Sequence, residues 1–162
     1  MPAISRSVAT LRVFGDSLVP EEITAKLGAE PTSCHRKGET ERMRSGRDLV
    51  HKTGMWRLEA TSKEPEDLDS QIAELLFRLS ADLEVWRTLS ANYTLDLFCG
   101  LFMGQSNEGL SLSPLSMSAL GERRIEIAFD VYAPARELQL AEECPCSSGK
   151  PYGECCAPKP AA

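Results

Sequence analysis

Four segments of this chain alternate apolar and polar residues with period two, the repeat of a strand that buries one face and wets the other. In 7–14, Ala9, Leu11 and Val13 share one side and Thr10 and Arg12 the other. In 55–60, Trp56, Leu58 and Ala60 oppose Arg57 and Glu59. In 94–102, Leu95, Leu97, Cys99 and Leu101 oppose Asp96, Phe98, Gly100 and Phe102. In 124–132, Ile125, Ile127, Phe129 and Val131 oppose Glu126, Asp130 and Tyr132.

Helical spacing fills the gaps. Over 20–27, Pro20 fits a first helical position that needs no amide donor, Glu21 and Glu22 favour the positive end, Ile23 and Leu27 face the core, and Gly28 stops the helix. Pro65 opens the clearest helix, whose stripe is Leu68, Ile72, Leu75, Leu76 and Leu79. Residues 82–89 continue it after a break near Ser80, with Leu83 and Trp86 on the same side. A short helix follows Ser113 and Pro114, burying Leu115, Ala119 and Leu120 and ending at Gly121. Alternating strands and helices suggest a parallel sheet covered on both faces. Strands in such sheets are continuously apolar, however, and these keep a polar side. The expected fold is α+β: a two-layer sandwich with a four-stranded, mostly antiparallel sheet and helices on one face, ferredoxin-like, with the other face in solvent.

Composition narrows the function classes. With 42% hydrophobic and 26% charged residues the chain can bury a core, and its net charge of -6 argues against nucleic acid as a general partner. The first residues lack the apolar run of a leader. The longest apolar stretch, 95–103, contains Asp96 and is too short to span a bilayer. A cytoplasmic protein, bacterial in style and without a membrane partner, is expected. One segment departs from the overall charge: 36–52 sets Arg36, Lys37, Arg42, Arg44, Arg47 and Lys52 against Glu39, Glu41 and Asp48, a local net of +3. It reads as a long exposed loop or loose hairpin able to touch phosphates or an acidic partner. Glu64, Glu66, Asp67, Asp69, Glu74, Asp82 and Glu84 read as a solvated acidic helix region.

The plainest chemistry lies at residues 144–156, where four of the six cysteines form two close pairs around a Pro/Gly/Ser turn. Cys144, Cys146, Cys155 and Cys156 offer four soft thiolates to one tetrahedral Zn2+, closing its coordination sphere and leaving no place for a reactive water. The site is therefore expected to be structural. Two disulfides are the competing reading, but the adjacent Cys155 and Cys156 would close a small strained ring, and disulfides belong to oxidising compartments. Cys144, Pro145, Cys146, Ser148, Gly149, Lys150, Tyr152, Cys155 and Cys156 together resemble the SEC-C zinc motif. That resemblance implies zinc binding and, by analogy with the bacterial preprotein translocase ATPase, partner docking. In this chain Cys156 stands where that family often has His, and Lys150 is the one cation inside the motif.

A second resemblance spans roughly residues 8–133. Pro20 to Thr24, Leu27-Gly28, Pro31-Thr32, Lys37-Gly38-Glu39, Gly54 to Leu58, Ile125-Glu126-Ile127 and Asp130-Val131-Tyr132 are similar to a bacterial family numbered 4279 among the domains of unknown function. It implies a compact domain without an established activity. The expected organisation is an α+β domain over 1–134, a tether over 135–143, the zinc knuckle over 144–156 and a frayed tail over 157–162.

No catalytic or organic-cofactor residue is assigned. Glu59, Asp96, Glu126 and Asp130 can gather on the open sheet face, where Arg12 and Arg57 pair with them, and Cys34, His35 and His51 flank the basic segment. The favoured function is a non-enzymatic interaction or adaptor protein with one structural zinc and a protein partner. Association with nucleic acid or the ribosome through 36–52 is the alternative, followed by an enzyme working on the open face.

Overall fold

The computed structural model describes residues 3–134, 146, 148–151 and 154–156. At its centre lies β1 (Arg6–Gly15), whose Ala9, Leu11 and Val13 are fully buried. β5 (Gly54–Glu59) pairs antiparallel along one side of β1, setting Leu58 beside Leu11 and Trp56 beside Val13. β6 (Thr94–Phe102) pairs antiparallel along the other, setting Leu97 beside Leu11 and Cys99 beside Ala9. Flanking the same strand in the same sense, β5 and β6 run parallel to each other. Their connection, α2 (Leu68–Phe77) and α3 (Leu83–Asn92), therefore has to cross a face of the sheet.

Two further strands extend the sheet. α1 (Pro20–Leu27) leads from β1 to β2 (Ser33–His35), which adds to the outer edge of β5. α4 (Pro114–Glu122) leads from β6 to β7 (Glu126–Tyr132), which lies parallel to β6. The full order is β2-β5-β1-β6-β7. The α+β class is thus as expected, but the sheet is five-stranded and mixed rather than four-stranded and ferredoxin-like. The polar side of each strand reports one wet face and says nothing of strand direction. β6, α4 and β7 form a crossover that returns the chain in the same direction, which a helical connection allows and a tight turn does not.

Between β2 and β5 the basic segment folds as a separate antiparallel hairpin of β3 (Thr40–Arg42) and β4 (Asp48–Val50), closed by a turn with Gly46 in the left-handed region at φ 80°. Of the loop and the hairpin that the sequence allowed, the chain forms the hairpin.

Helix ends follow the capping chemistry. Gly28, at φ 80°, closes α1 by donating its N–H to Thr24 O (2.8 Å). Asp67, two residues after the expected start at Pro65, caps α2 by accepting Ser70 N–H, and Asp82 caps α3 through Glu84 N–H. The break near Ser80 is where expected and is used twice: Ser80 N–H donates to Leu27 O, and Ser80 O accepts the buried Trp86 indole N–H (both 2.8 Å). The other buried indole, Trp56, donates to Thr24 Oγ1. Each indole thus buries its apolar surface without orphaning its donor.

Two apolar assignments differ. α4 continues through Gly121 to Glu122 and turns Leu115 outward, 81% exposed, while Ser116 and Leu120 are buried. The cause is polar: Ser113 accepts Ser116 N–H and donates its own N–H and hydroxyl to Asp69 of α2, fixing which face of α4 looks inward. On β7, Phe129 and Val131 share the helix-side face with Ile127 but stay exposed at 46% and 55%. No helix among the described residues is long and apolar enough to cross a membrane.

Candidate metal centre and open sheet face

Three of the four cysteines assigned to zinc lie together. The sulfurs of Cys146, Cys155 and Cys156 are all within 4.8 Å of one another, with Cys146 to Cys155 at 3.4 Å and Cys155 to Cys156 at 3.7 Å. A disulfide bond measures about 2.05 Å. A tetrahedral site with Zn–S of about 2.3 Å has sulfur–sulfur edges of about 3.8 Å. The spacing thus suits shared coordination and not a bond between these sulfurs. Gly149, at φ 71°, supplies the left-handed turn that folds the second pair back on Cys146. Ser148 Oγ sits 3.2 Å from the Cys155 sulfur, where a hydroxyl donor stabilises a thiolate. Cys144, the tether 135–143 and the tail 157–162 lie outside the described residues.

His35 and His51, distant in sequence, come into face-to-face contact, with ring centroids 3.5 Å apart and planes 15° from parallel. His51 Nε2 lies 3.2 Å from Glu41 Oε2. Imidazole lone pairs lie in the ring plane, so two stacked rings aim them side by side instead of at one point. The pair is built to stack, not to chelate. Burial, and then the neighbouring His51, hold the His35 pKa below its ordinary value. Cys34 does not complete a nucleophile–base pair. Strand alternation turns it away from His35, and burial followed by Glu21, Glu39 and Glu30 pushes its thiol up. A raised thiol pKa leaves little nucleophilic thiolate. The same holds for the core residue Cys99, pushed up to about 12 by burial and then Asp96.

The open face of the sheet carries an expected cross-strand ion pair. Arg12 meets Asp96 in a two-pronged contact at 2.8 and 2.6 Å, whereas Arg57 Nη2 lies 3.4 Å from Glu59 Oε1, two residues on along the same strand. Asp130 accepts the Tyr132 hydroxyl at 2.6 Å. Glu126 stands directly across from Asp96 in the register. The carboxylates are therefore distributed along the sheet, with Asp96, Glu59 and Asp130 each engaged by a donor of its own.

Residues 4–134 match a domain of unknown function, DUF4279. The chain belongs to the DUF4279 family. Neither the curated proteins nor the solved structures contain a significant match. The match stops short of the cysteine cluster, so the thiols are an addition to the DUF4279 domain.

Within the DUF4279 domain, period-two reading placed Arg12, Arg57, the carboxylates and the rings of Phe98, Phe102 and Tyr132 on one face but gave the rings no role. Phe102 is held between Arg6, 3.7 Å from its ring centroid, and Tyr132, stacked at 4.6 Å and 6°. Arg12 lies over Phe98 at 4.2 Å and Phe14 at 5.0 Å. The signal was present, since Phe98, Phe102 and Tyr132 share a parity with Arg12 once β1, β6 and β7 are adjacent. It needed the strand order to be read.

Proposed function

We propose that this chain is a non-enzymatic adaptor in which the DUF4279 domain recognises a protein partner and a SEC-C-like zinc knuckle docks a second contact or fixes the tail. Cys144, Cys146, Cys155 and Cys156 would hold one zinc, whose role is to lock the loop between the two cysteine pairs. The observation that carries the reading is the approach of three of these sulfurs to tetrahedral-edge distance. Four thiolates leave no open coordination position, which suits a structural ion. The raised thiol of Cys34 and the donor-engaged carboxylates of the open face also suit a protein that binds more than it transforms.

The test compares intact protein with the Cys155→Ser/Cys156→Ser variant, measuring metal content and the proteins retained from a bacterial lysate. One zinc per intact chain, with a partner lost by the variant, supports the adaptor. Absence of zinc, or identical retained proteins, defeats the knuckle's part in it.

A second reading has its own observation. Arg36 and Lys37 at the hairpin root pair with Glu21 and Asp16, and Arg42 pairs with Asp48, whereas Arg44 and Arg47 at the tip have no ion pair among the described residues. A protruding basic tip suits nucleic-acid or ribosome association. RNA retention that falls steeply with salt in the intact chain, and is lost in Arg44→Ala/Arg47→Ala, would support it.

A further inference from the structure

The polar face of the sheet is not flat. Val8, Thr10, Arg12, Arg57, Phe98, Gly100, Phe102 and Tyr132 enclose a concavity of about 240 Å³. Gly100 is buried in its floor beneath the Phe102 ring, which stands 3.4 Å from where a side chain's first carbon would be. Three aromatic rings and two guanidiniums line it, and no carboxylate is part of the lining.

The guanidiniums are not equivalent. Arg12 is committed to Asp96 through both prongs. Arg57 is anchored at Nε by Ser33 Oγ (2.5 Å), while its contact to Glu59, at 3.4 Å, is longer than a charge-assisted hydrogen bond of about 2.7–2.9 Å. Both side chains of that pair are about two-fifths exposed, at 41% and 39%, and so loose a surface pair contributes little. Arg57 is thus positioned by Ser33 and only weakly neutralised. Of the two guanidiniums that line the concavity, it is the one with charge to offer.

We propose that this concavity binds a small aromatic carboxylate, its ring against Phe98, Phe102 and Tyr132 and its carboxylate on Arg57. Size agrees: an apolar cavity of about 150 Å³ accommodates benzene, so about 240 Å³ leaves room for a short arm bearing the acid. Charge agrees as well, because an amine would meet two guanidiniums and a neutral ring would leave Arg57 unused. A nucleic-acid strand fits less well, because Glu59, Glu126 and Asp130 on the same face oppose a run of phosphates. The proposal is independent of the zinc knuckle.

The test uses phenylacetate on the zinc-loaded full chain, followed by amide and side-chain NMR, with phenylacetamide and phenethylamine as controls and a dT12 oligonucleotide as the competing class. Expected are saturable phenylacetate shifts confined to the open faces of β1, β5, β6 and β7, with neither control binding. Arg57→Met should weaken binding about tenfold or more. Val8→Phe, which enlarges a half-buried lining side chain and leaves Arg57 in place, should abolish binding while the spectrum stays dispersed. No saturable shift up to about 20 mM, weaker than any useful millimolar affinity, overturns the proposal. So does equal binding of phenylacetamide, unchanged affinity in Arg57→Met, or tight dT12 binding with phenylacetate silent. Loss of zinc in the cysteine variant with phenylacetate binding retained would separate a failed knuckle from a failed pocket.

Discussion

Gln71 is a polar residue at the heart of the core, and its three hydrogen bonds explain why it is there. Fully buried on α2, it accepts the Ser7 hydroxyl at 2.7 Å and donates to Thr61 O at 2.8 Å and Ser7 O at 3.3 Å, tying the helix to the start of β1 and the exit of β5. Gln71→Leu would keep the volume and take the acceptor from the Ser7 hydroxyl and the side-chain donor from Thr61 O, while Ser7 O keeps the Lys63 N–H at 3.0 Å. Leaving buried groups unpaired costs about 1–3 kcal/mol, and urea unfolding should show a loss in that range. The sequence reading traced the stripe through Leu68, Ile72 and Leu75 and missed Gln71. A lone polar residue between apolar neighbours has no period of its own, and its partner Ser7 is 64 positions away. Asp69, one helical position from a different face, makes a pH-dependent tie. Hydrogen bonds from Ser116 and Ser113, opposed by some burial, hold its carboxyl below the usual value of 3.8. A depressed folded pKa stabilises fully above the unfolded value and is lost as pH falls through the folded one. Asp69→Asn should therefore lose stability near neutral pH and show a shallower decline than the parent from about pH 4 downward in chemical unfolding.

At the scale of elements, the hairpin of β3 and β4 poses the clearest question, because two strands without a core are marginal in water. Every residue from 36 to 50 is exposed. What holds the hairpin is its root: Gly38 N–H to His51 O at 2.7 Å, His51 N–H to Glu39 O at 2.9 Å, and the stack of His51 on His35. Burial and His51 lower the His35 pKa from 6.5, Arg57 acts in the same direction, and Glu39 and Glu41 act against them. The sign is that of a depressed pKa: the neutral ring's contribution is present above 6.5 and is lost as pH falls through the folded value. Protection factors of the amides in 38–51, corrected for the intrinsic slowing of exchange in acid, should fall as pH drops below 6.5 while those in β1 and β6 hold, and His35→Phe should remove that dependence. Protection unchanged across the acid range would refute the root as a stack. This element was half legible. Gly38, Gly46 and the dense charge announced an exposed excursion, but a hairpin that buries nothing leaves no apolar period. β2, of three residues, is likewise too short to show one. The longer β1, β5 and β6 were readable because each buries a face, and β7 because its apolar and polar residues alternate although Phe129 and Val131 stay exposed. The parallel run of β7 was not, since alternation is the same in either direction.

Taken whole, the molecule divides its stabilising interactions unevenly, and that division makes metal removal informative. The buried apolar residues run from Ile4 to Ile125, including Trp56 and Trp86, whereas Cys146, Cys155 and Cys156 are exposed. The core thus closes without a contribution from these cysteines, and the family match ends at residue 134, before them. Zinc bound by four thiolates would contribute its free energy to the loop that carries them, not to the sheet. A chelator should therefore release about one zinc per chain and raise the reactivity of the cluster thiols toward a disulfide reagent. Cys99, pushed up to about 12 in the core, should stay silent until unfolding. Because the chain's two tryptophans lie in the DUF4279 domain, fluorescence reports that domain selectively, and its thermal midpoint should move by less than about 2 °C on chelation. A large fall would mean that the knuckle braces the sheet. A thiol count unchanged by chelation would mean that the cluster holds no metal, and the three close sulfurs would then need another explanation.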